Sequence, residues 1–183
     1  EPVATWNFDP THTYASFSAR HMMVTTVRGR FDAAPTGTLV FDPANPAATV
    51  VEATIDASSV HTGLADRDGH LKSPDFLDVA NYPNIVFKST RVDVTSDSTA
   101  KMHGDLTIRN VTRPVVLDVE FLGLTNDPWG GKRAGFSAEA KINREDWGLT
   151  WNMAIEAGGV LVGKDIKLNL DVEAILVPET AQA

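Results

Sequence analysis

Five histidines are the side chains of this chain best suited to moving protons or holding a metal: His12, His21, His61, His70 and His103. A hydrolytic zinc helix places two histidines four residues apart with a glutamate beside the first, and no pair here has that spacing. The densest cluster of ligand types, Asp66, Asp68 and His70, runs at spacing two, which cannot gather three side chains on one helical face. Glu145 and Asp146 are neighbours and would point to opposite sides of a strand, so they make a poor acid–base pair. Neither a nucleophile elbow nor a dinucleotide fingerprint occurs. Gly158, Gly159 and Gly163 lack the strand–loop–helix setting of a phosphate cradle and read as a turn. The chain has no cysteine, which removes a thiolate nucleophile, a thiolate ligand and a disulfide. These residues predict no catalytic group, no metal and no cofactor, and turn attention to binding.

The elements that would position a binding site are strands. Residues 165–176 alternate Ile166, Leu168, Leu170, Val172, Ala174 and Leu176 with mostly polar partners, the period of two that buries one face. Leu117, Val119 and Phe121, and Phe136, Ala138, Ala140 and Ile142, repeat the pattern, as antiparallel strands with one wet side do. Further strands are expected at 14–19, 27–31, 36–41, 49–56, 85–94 and 101–108, separated by turn chemistry at 42–46, 95–99, 109–110 and 126–131. About eight or nine consecutive strands hide their two edges most simply by closing. The expected fold is therefore mainly β, an extended antiparallel up-and-down barrel rather than a sandwich. One short helix is expected at residues 66–76, with Leu71 and Phe76 against the barrel as a lid.

Size and charge narrow the partners. The 183 residues, 43% of them hydrophobic, suit a single domain spanning 1–183, with a disordered tail after about residue 178. Sixteen Lys and Arg against 24 Asp and Glu give a net charge of −8, which argues against nucleic acid and anionic membrane surfaces. No apolar run is long enough for a membrane span. The first residues carry no signal-peptide core, which leans the expectation toward the cytoplasm; a removed leader would make the protein secreted or periplasmic. Ala19, Ala53, Ala138, Ala140 and Ala174 fall on the presumed inward faces, where a solid core would carry larger residues, so the barrel is either packed solid or hollow.

Several local patterns, in order along nearly the whole chain, resemble the YceI-like family of polyisoprenoid-binding, lipocalin-like bacterial proteins. They are Asp9-Pro-Thr-His12, Phe17-Ser-Ala-Arg-His-Met22, Val27-Arg-Gly-Arg-Phe31 and Ile55-Asp-Ala-Ser58 with Thr62. Arg67-Asp-Gly-His-Leu71, Ser73-Pro-Asp-Phe76, Tyr82-Pro83 and Phe87-Lys-Ser89 follow. Gly104-Asp-Leu-Thr-Ile108, Val111-Thr-Arg-Pro-Val115, and Arg144-Glu-Asp-Trp-Gly-Leu149 with Trp151 complete the set. The chain departs from the family pattern at Thr13, where Ser is commoner, at His61, where an acidic residue is frequent, and at Trp147, where Phe is usual.

The resemblance implies a lipocalin-type barrel whose tunnel holds a chain-like lipid: a polyisoprenoid, a quinone tail or a fatty-acid derivative. Phe17, Phe31, Leu39, Phe41, Ile85, Phe87, Leu106, Leu117, Phe121, Phe136, Trp147 and Trp151 would form the apolar wall, with Leu71 and Phe76 closing one end. Arg20, Arg67 and His70 would meet a head group, or else serve as structural ion pairs to Asp66, Asp68 or Asp78. His21 shares the inward register of Phe17 and Ala19, as an anchor or a core histidine. The expected partner is a small apolar lipid, and homodimerisation through an edge strand or the helix stays open. Two rivals also stand: an isomerase or hydrolase acting on a lipid in the same cavity, and a ligand-free stress-response barrel.

Overall fold

The computed structural model describes residues 4–153 and 161–178. Within them lie β1 (Thr5–Phe8), β2 (Tyr14–His21), β3 (Thr25–Phe31), β4 (Thr36–Val40), β5 (Val50–Asp56), β6 (Val60–His61), α1 (Ala65–Lys72), β7 (Asn84–Val94), β8 (Thr99–Ile108), β9 (Val111–Asn126), β10 (Lys132–Asn143) and β11 (Val162–Leu176). The tail expected after residue 178, and Gly158 and Gly159, fall outside the described residues.

The eleven strands form eight staves. β1 and β2 both pair with β11, Phe8 opposite Ala174 and Tyr14 opposite Asp171, so residues 9–13 are a break within one stave. β3 and β4 are likewise halves of a second stave, since β3 pairs with β2 while β4 pairs with β1. β5 and β6 make a third, pairing with β4 and β3 and divided by a short 3₁₀ turn at Ala57–Ser59. Each remaining strand pairs antiparallel with its sequence neighbour, and β1 returns to β11, which closes an up-and-down barrel of eight staves. Closure removes the exposed edges that a meander this long would otherwise present.

Local chemistry explains the joints. Arg109 and Asn110, both at positive φ (52° and 63°), form a two-residue turn between Ile108 and Val111, whose mirror-image twist matches that of the flanking strands. On β9, Phe121 faces Phe136 and Gly123 faces Gly135, which leaves Leu122 as a bulge; the φ of 131° at Gly123 suits glycine alone.

Two sequence expectations need correction. The helix ends at Lys72 rather than Phe76, because Ser73 precedes Pro74 and is driven into an extended conformation (φ −73°, ψ 168°). Strands β1 and β6 were not expected; at four and two residues they are too short for alternation to register.

The core divides along the axis. At one end Trp6, Leu39, Phe41, Ala134 and Ala174 are buried together, with Phe8, Phe121 and Phe136 packed on them. The larger cluster surrounds the rest of the barrel and reaches Phe76, Trp147 and Leu149 at the other end, where α1 and the connection from β6 to β7 lie. Both buried indoles are satisfied, Trp6 Nε1 donating to Phe41 O (3.2 Å) and Trp147 Nε1 to Leu106 O (2.9 Å).

Candidate functional site

The inward faces of the staves enclose a cavity of about 570 Å³, and its wall is apolar along most of its length. Period two puts Ile166, Leu168, Leu170 and Val172 of β11 and Val115, Leu117 and Val119 of β9 on that wall. Small side chains keep the middle open: Ala15, Ala19, Ala53 and Ala138 line it where larger residues would fill it. The barrel is therefore hollow.

The cavity brings most of the expected residues together. Phe17, Phe31, Leu39, Phe41, Ile85, Phe87, Leu106, Leu117, Phe136, Trp147 and Trp151 line it, as do Leu71 and Phe76, and so do Arg20, His21, Arg67 and His70. Phe121 does not. It keeps the inward register of Leu117 and Val119 but packs into the end cluster beyond the cavity, its ring 5.5 Å from Phe41 and 5.4 Å from Phe136 between centroids.

The helix end of the cavity is built differently from the rest. Thr62, just before α1, accepts at its hydroxyl from Arg67 Nε and at its carbonyl from Arg67 Nη2, both at 2.7 Å. The Thr62 hydroxyl and amide in turn donate to Asp68 Oδ1 (2.5 and 2.8 Å), and these bonds, the hydroxyl's first, hold the Asp68 carboxyl below the usual carboxylate range. His70 Nε2 meets Asp75 (2.9 Å), while its ring stands edge-on to Phe76 and Trp151 at 5.0 and 4.5 Å. Arg20 donates to Thr26 Oγ1 at 3.3 Å. Hence Asp68 and His70 face different partners, and Arg20, Arg67 and His70 make no ion pair with Asp66, Asp68 or Asp78. His21 lies on the wall at the end of β2, and no described carboxylate stands within ion-pair distance of it.

Sequence reasoning missed Arg144, which follows Ile142 by two residues and so continues the inward register of β10. It is only 4% exposed. Its Nε donates to Gly163 O (3.0 Å), Nη1 to Leu149 O (2.5 Å) and Nη2 to Val162 O (3.3 Å), while the guanidinium carbon lies 5.7 Å from the centroid of the Phe76 ring. Burial pulls this guanidinium below its usual pKa, and only the neighbouring Glu145 acts against that. The signal that could have found it was a charged residue on a face otherwise occupied by Ala138, Ala140 and Ile142.

A second polar cluster lies at the opposite end, in the break between β1 and β2. Oxygens of Asp9 and Glu173 and a ring nitrogen of His12 lie within 4.8 Å of one another, a spacing a cation could use. Arg133 Nη1 already sits there, 2.6 Å from Asp9 Oδ2 and 2.8 Å from Glu173 Oε2. None of these four residues lines the cavity.

Comparison with known proteins fits this architecture. The YceI-like domain model matches residues 6–174. The chain belongs to the YceI-like family. Protein YceI of Escherichia coli O157:H7 is 44% identical over 138 residues, covering 75% of this YceI-like chain and 71% of that one. The YceI protein of Campylobacter jejuni, solved as a crystal structure, superposes with a TM-score of 0.73 at 32% identity, covering 87% of this chain and 90% of the other. A polyisoprenoid binding domain from Saccharophagus degradans shares the fold at a TM-score of 0.69 and 15% identity, covering 96% of this YceI-like chain and 100% of that one.

Proposed function

We propose that this YceI-like chain binds, stores or carries a long apolar lipid in its barrel cavity and performs no covalent chemistry on it. The observation that carries this reading is the hollow barrel itself, about 570 Å³ walled by the inward faces of its staves. That volume lies within the roughly 300–1,000 Å³ of small-molecule sites. Transferring apolar chain from water into such a space yields about 25 cal/mol per Å² buried, so an isoprenoid, a quinone tail or an acyl chain needs few hydrogen bonds to be held. The polyisoprenoid-binding domain that shares the fold supports the same class of ligand. Of the two cavity histidines, His21 has no described carboxylate in reach to orient it as a base, while His70, whose Nε2 meets Asp75, packs its ring edge-on against Phe76 and Trp151.

Native mass spectrometry of the purified protein, followed by organic extraction, tests the reading. The expected result is a mass excess released as an isoprenoid or acyl compound. A clean apo mass that persists after incubation with polyprenols and fatty acids overturns it.

A further inference from the structure

Charge is distributed unevenly over the cavity wall. The chain as a whole carries −8, yet the wall holds three arginines, Arg20, Arg67 and Arg144, and two histidines, His21 and His70, against the single carboxylate of Asp66. All six come from the end of β2, from α1 or from the residue after β10, and these meet at the helix end of the barrel. The rest of the wall is apolar apart from a few neutral polar residues.

Arg144 makes the asymmetry specific. A buried cation is normally balanced by a carboxylate, and among the described residues none lies within ion-pair distance of this one. Its three bonds run to the carbonyls of Leu149, Val162 and Gly163, which leave two of its five N–H donors unused by any described protein acceptor. Arg67 also keeps a nitrogen unused: Nε and Nη2 are bound to Thr62, which links them to the nearby Asp68 carboxylate, and Nη1 meets no described acceptor. Carbonyl dipoles fix the direction of the Arg144 fork without neutralising it. A preformed end of an apolar tunnel that carries guanidinium groups with unused N–H donors matches an oxyanion, since forked N–H donors and paired oxygens bond bidentately.

We infer that the lipid held in this barrel has an anionic head group, a phosphate or a carboxylate, seated at the helix end against Arg144 with Arg67 and Arg20 around it. This rests on the lipid-binding reading above and narrows it, excluding neutral alcohols as the preferred ligands. The chain then lies along the apolar wall toward Phe41 and Phe136, and the head remains beside α1.

Paired probes of equal chain test it on the delipidated protein: farnesyl phosphate against farnesol, and palmitate against hexadecanol, each titrated by displacement of a fluorescent fatty acid. The wild type is expected to bind one or both anionic members about tenfold or more tighter than the matching alcohol. Preference within the farnesyl pair alone assigns phosphate, and within the palmityl pair alone carboxylate. Arg144→Met is expected to bring the ratio below about threefold, a change in discrimination that mere loosening of the loop would not produce, because loosening weakens both members together. If Arg144→Met does not fold, as judged by circular dichroism, the wild-type ratio and the Arg67→Gln variant decide, the latter being expected to lower the ratio. Equal binding of acid and alcohol by the wild type overturns the anionic head group and leaves lipid binding standing. Failure to bind any of the four probes overturns both.

Discussion

Phe41 shows how one side chain can serve both stability and the shape of the site. It is 4% exposed, its ring lies 6.1 Å from Trp6 and 5.2 Å from Phe136 between centroids, and it also forms part of the cavity wall. Truncation to alanine removes these ring contacts and enlarges the open space beside them. Phe41→Ala should destabilise the barrel by about 3–5 kcal/mol in urea unfolding, and a loss below about 1 kcal/mol would show that the plug is not a packed core. Ala138 makes the complementary case. It lies on the wall with Val119 and Leu170 as its cross-strand neighbours, so a larger side chain there projects into empty space. Ala138→Phe should leave the melting temperature close to wild type while weakening a C15 or longer lipid about tenfold, because the added ring takes the volume the chain would occupy. Unchanged affinity would mean that lipid does not thread past the middle of the barrel.

Among the elements, the break between β1 and β2 is held by charge as well as by backbone bonds such as Asp9 N–H to Glu173 O (2.7 Å). Asp9 is buried and accepts from the amide and hydroxyl of Thr11 (3.0 and 2.8 Å) and from Arg133 Nη1 (2.6 Å), which ties the break to β10. Burial alone would raise the Asp9 carboxyl, but the bonds from His12, Thr11 and Arg133 outweigh it and leave the group far below its ordinary value. The folded state thus binds fewer protons than the unfolded chain. The stabilisation is complete above the unfolded value near 3.8 and drains away as the pH falls through the lower folded value. Urea midpoints measured from pH 7 down to pH 2 should fall more steeply in the acid limb for wild type than for Asp9→Asn, and parallel curves would remove Asp9 from the account. The same joint shows why part of the fold was legible in the sequence and part was not. Strands with one wet face announce themselves by alternation, as Ile166, Leu168, Leu170 and Val172 do, and that was enough to infer the closed meander. β1 offers only four residues, and its place is decided by Trp6 and Phe8 finding Leu176 and Ala174 at the far end of the chain, a long-range pairing no local window contains. Phe121 failed for a related reason: alternation gives its face correctly but carries no mark of where along the axis the cavity stops and the end cluster around Phe41 begins. Arg144 was the opposite failure, since its register was readable but a charged residue on an apolar face was passed over.

For the whole molecule, hollowness has a thermodynamic consequence. A barrel with about 570 Å³ left open lacks the dispersion contacts that a solid core would make across its middle, so the empty form is the less stable one. Any lipid that fills the space binds only the closed barrel, because the wall exists only once β1 has joined β11 and the staves are in register. Binding and folding are then linked by mass action, and a ligand at one hundred times its dissociation constant adds about 2.7 kcal/mol to the unfolding free energy. In a chain of this size each kcal/mol moves the melting point by roughly 2–4 °C, so saturating lipid should raise it by roughly 5–10 °C over the delipidated protein. Calorimetry on both forms reads this directly, with the shift growing with the logarithm of lipid concentration. Farnesyl phosphate or palmitate that leaves the melt unmoved at concentrations saturating in the displacement assay would mean that the lipid binds the unfolded chain as well as the folded one, so that its site does not depend on the closure of β1 against β11.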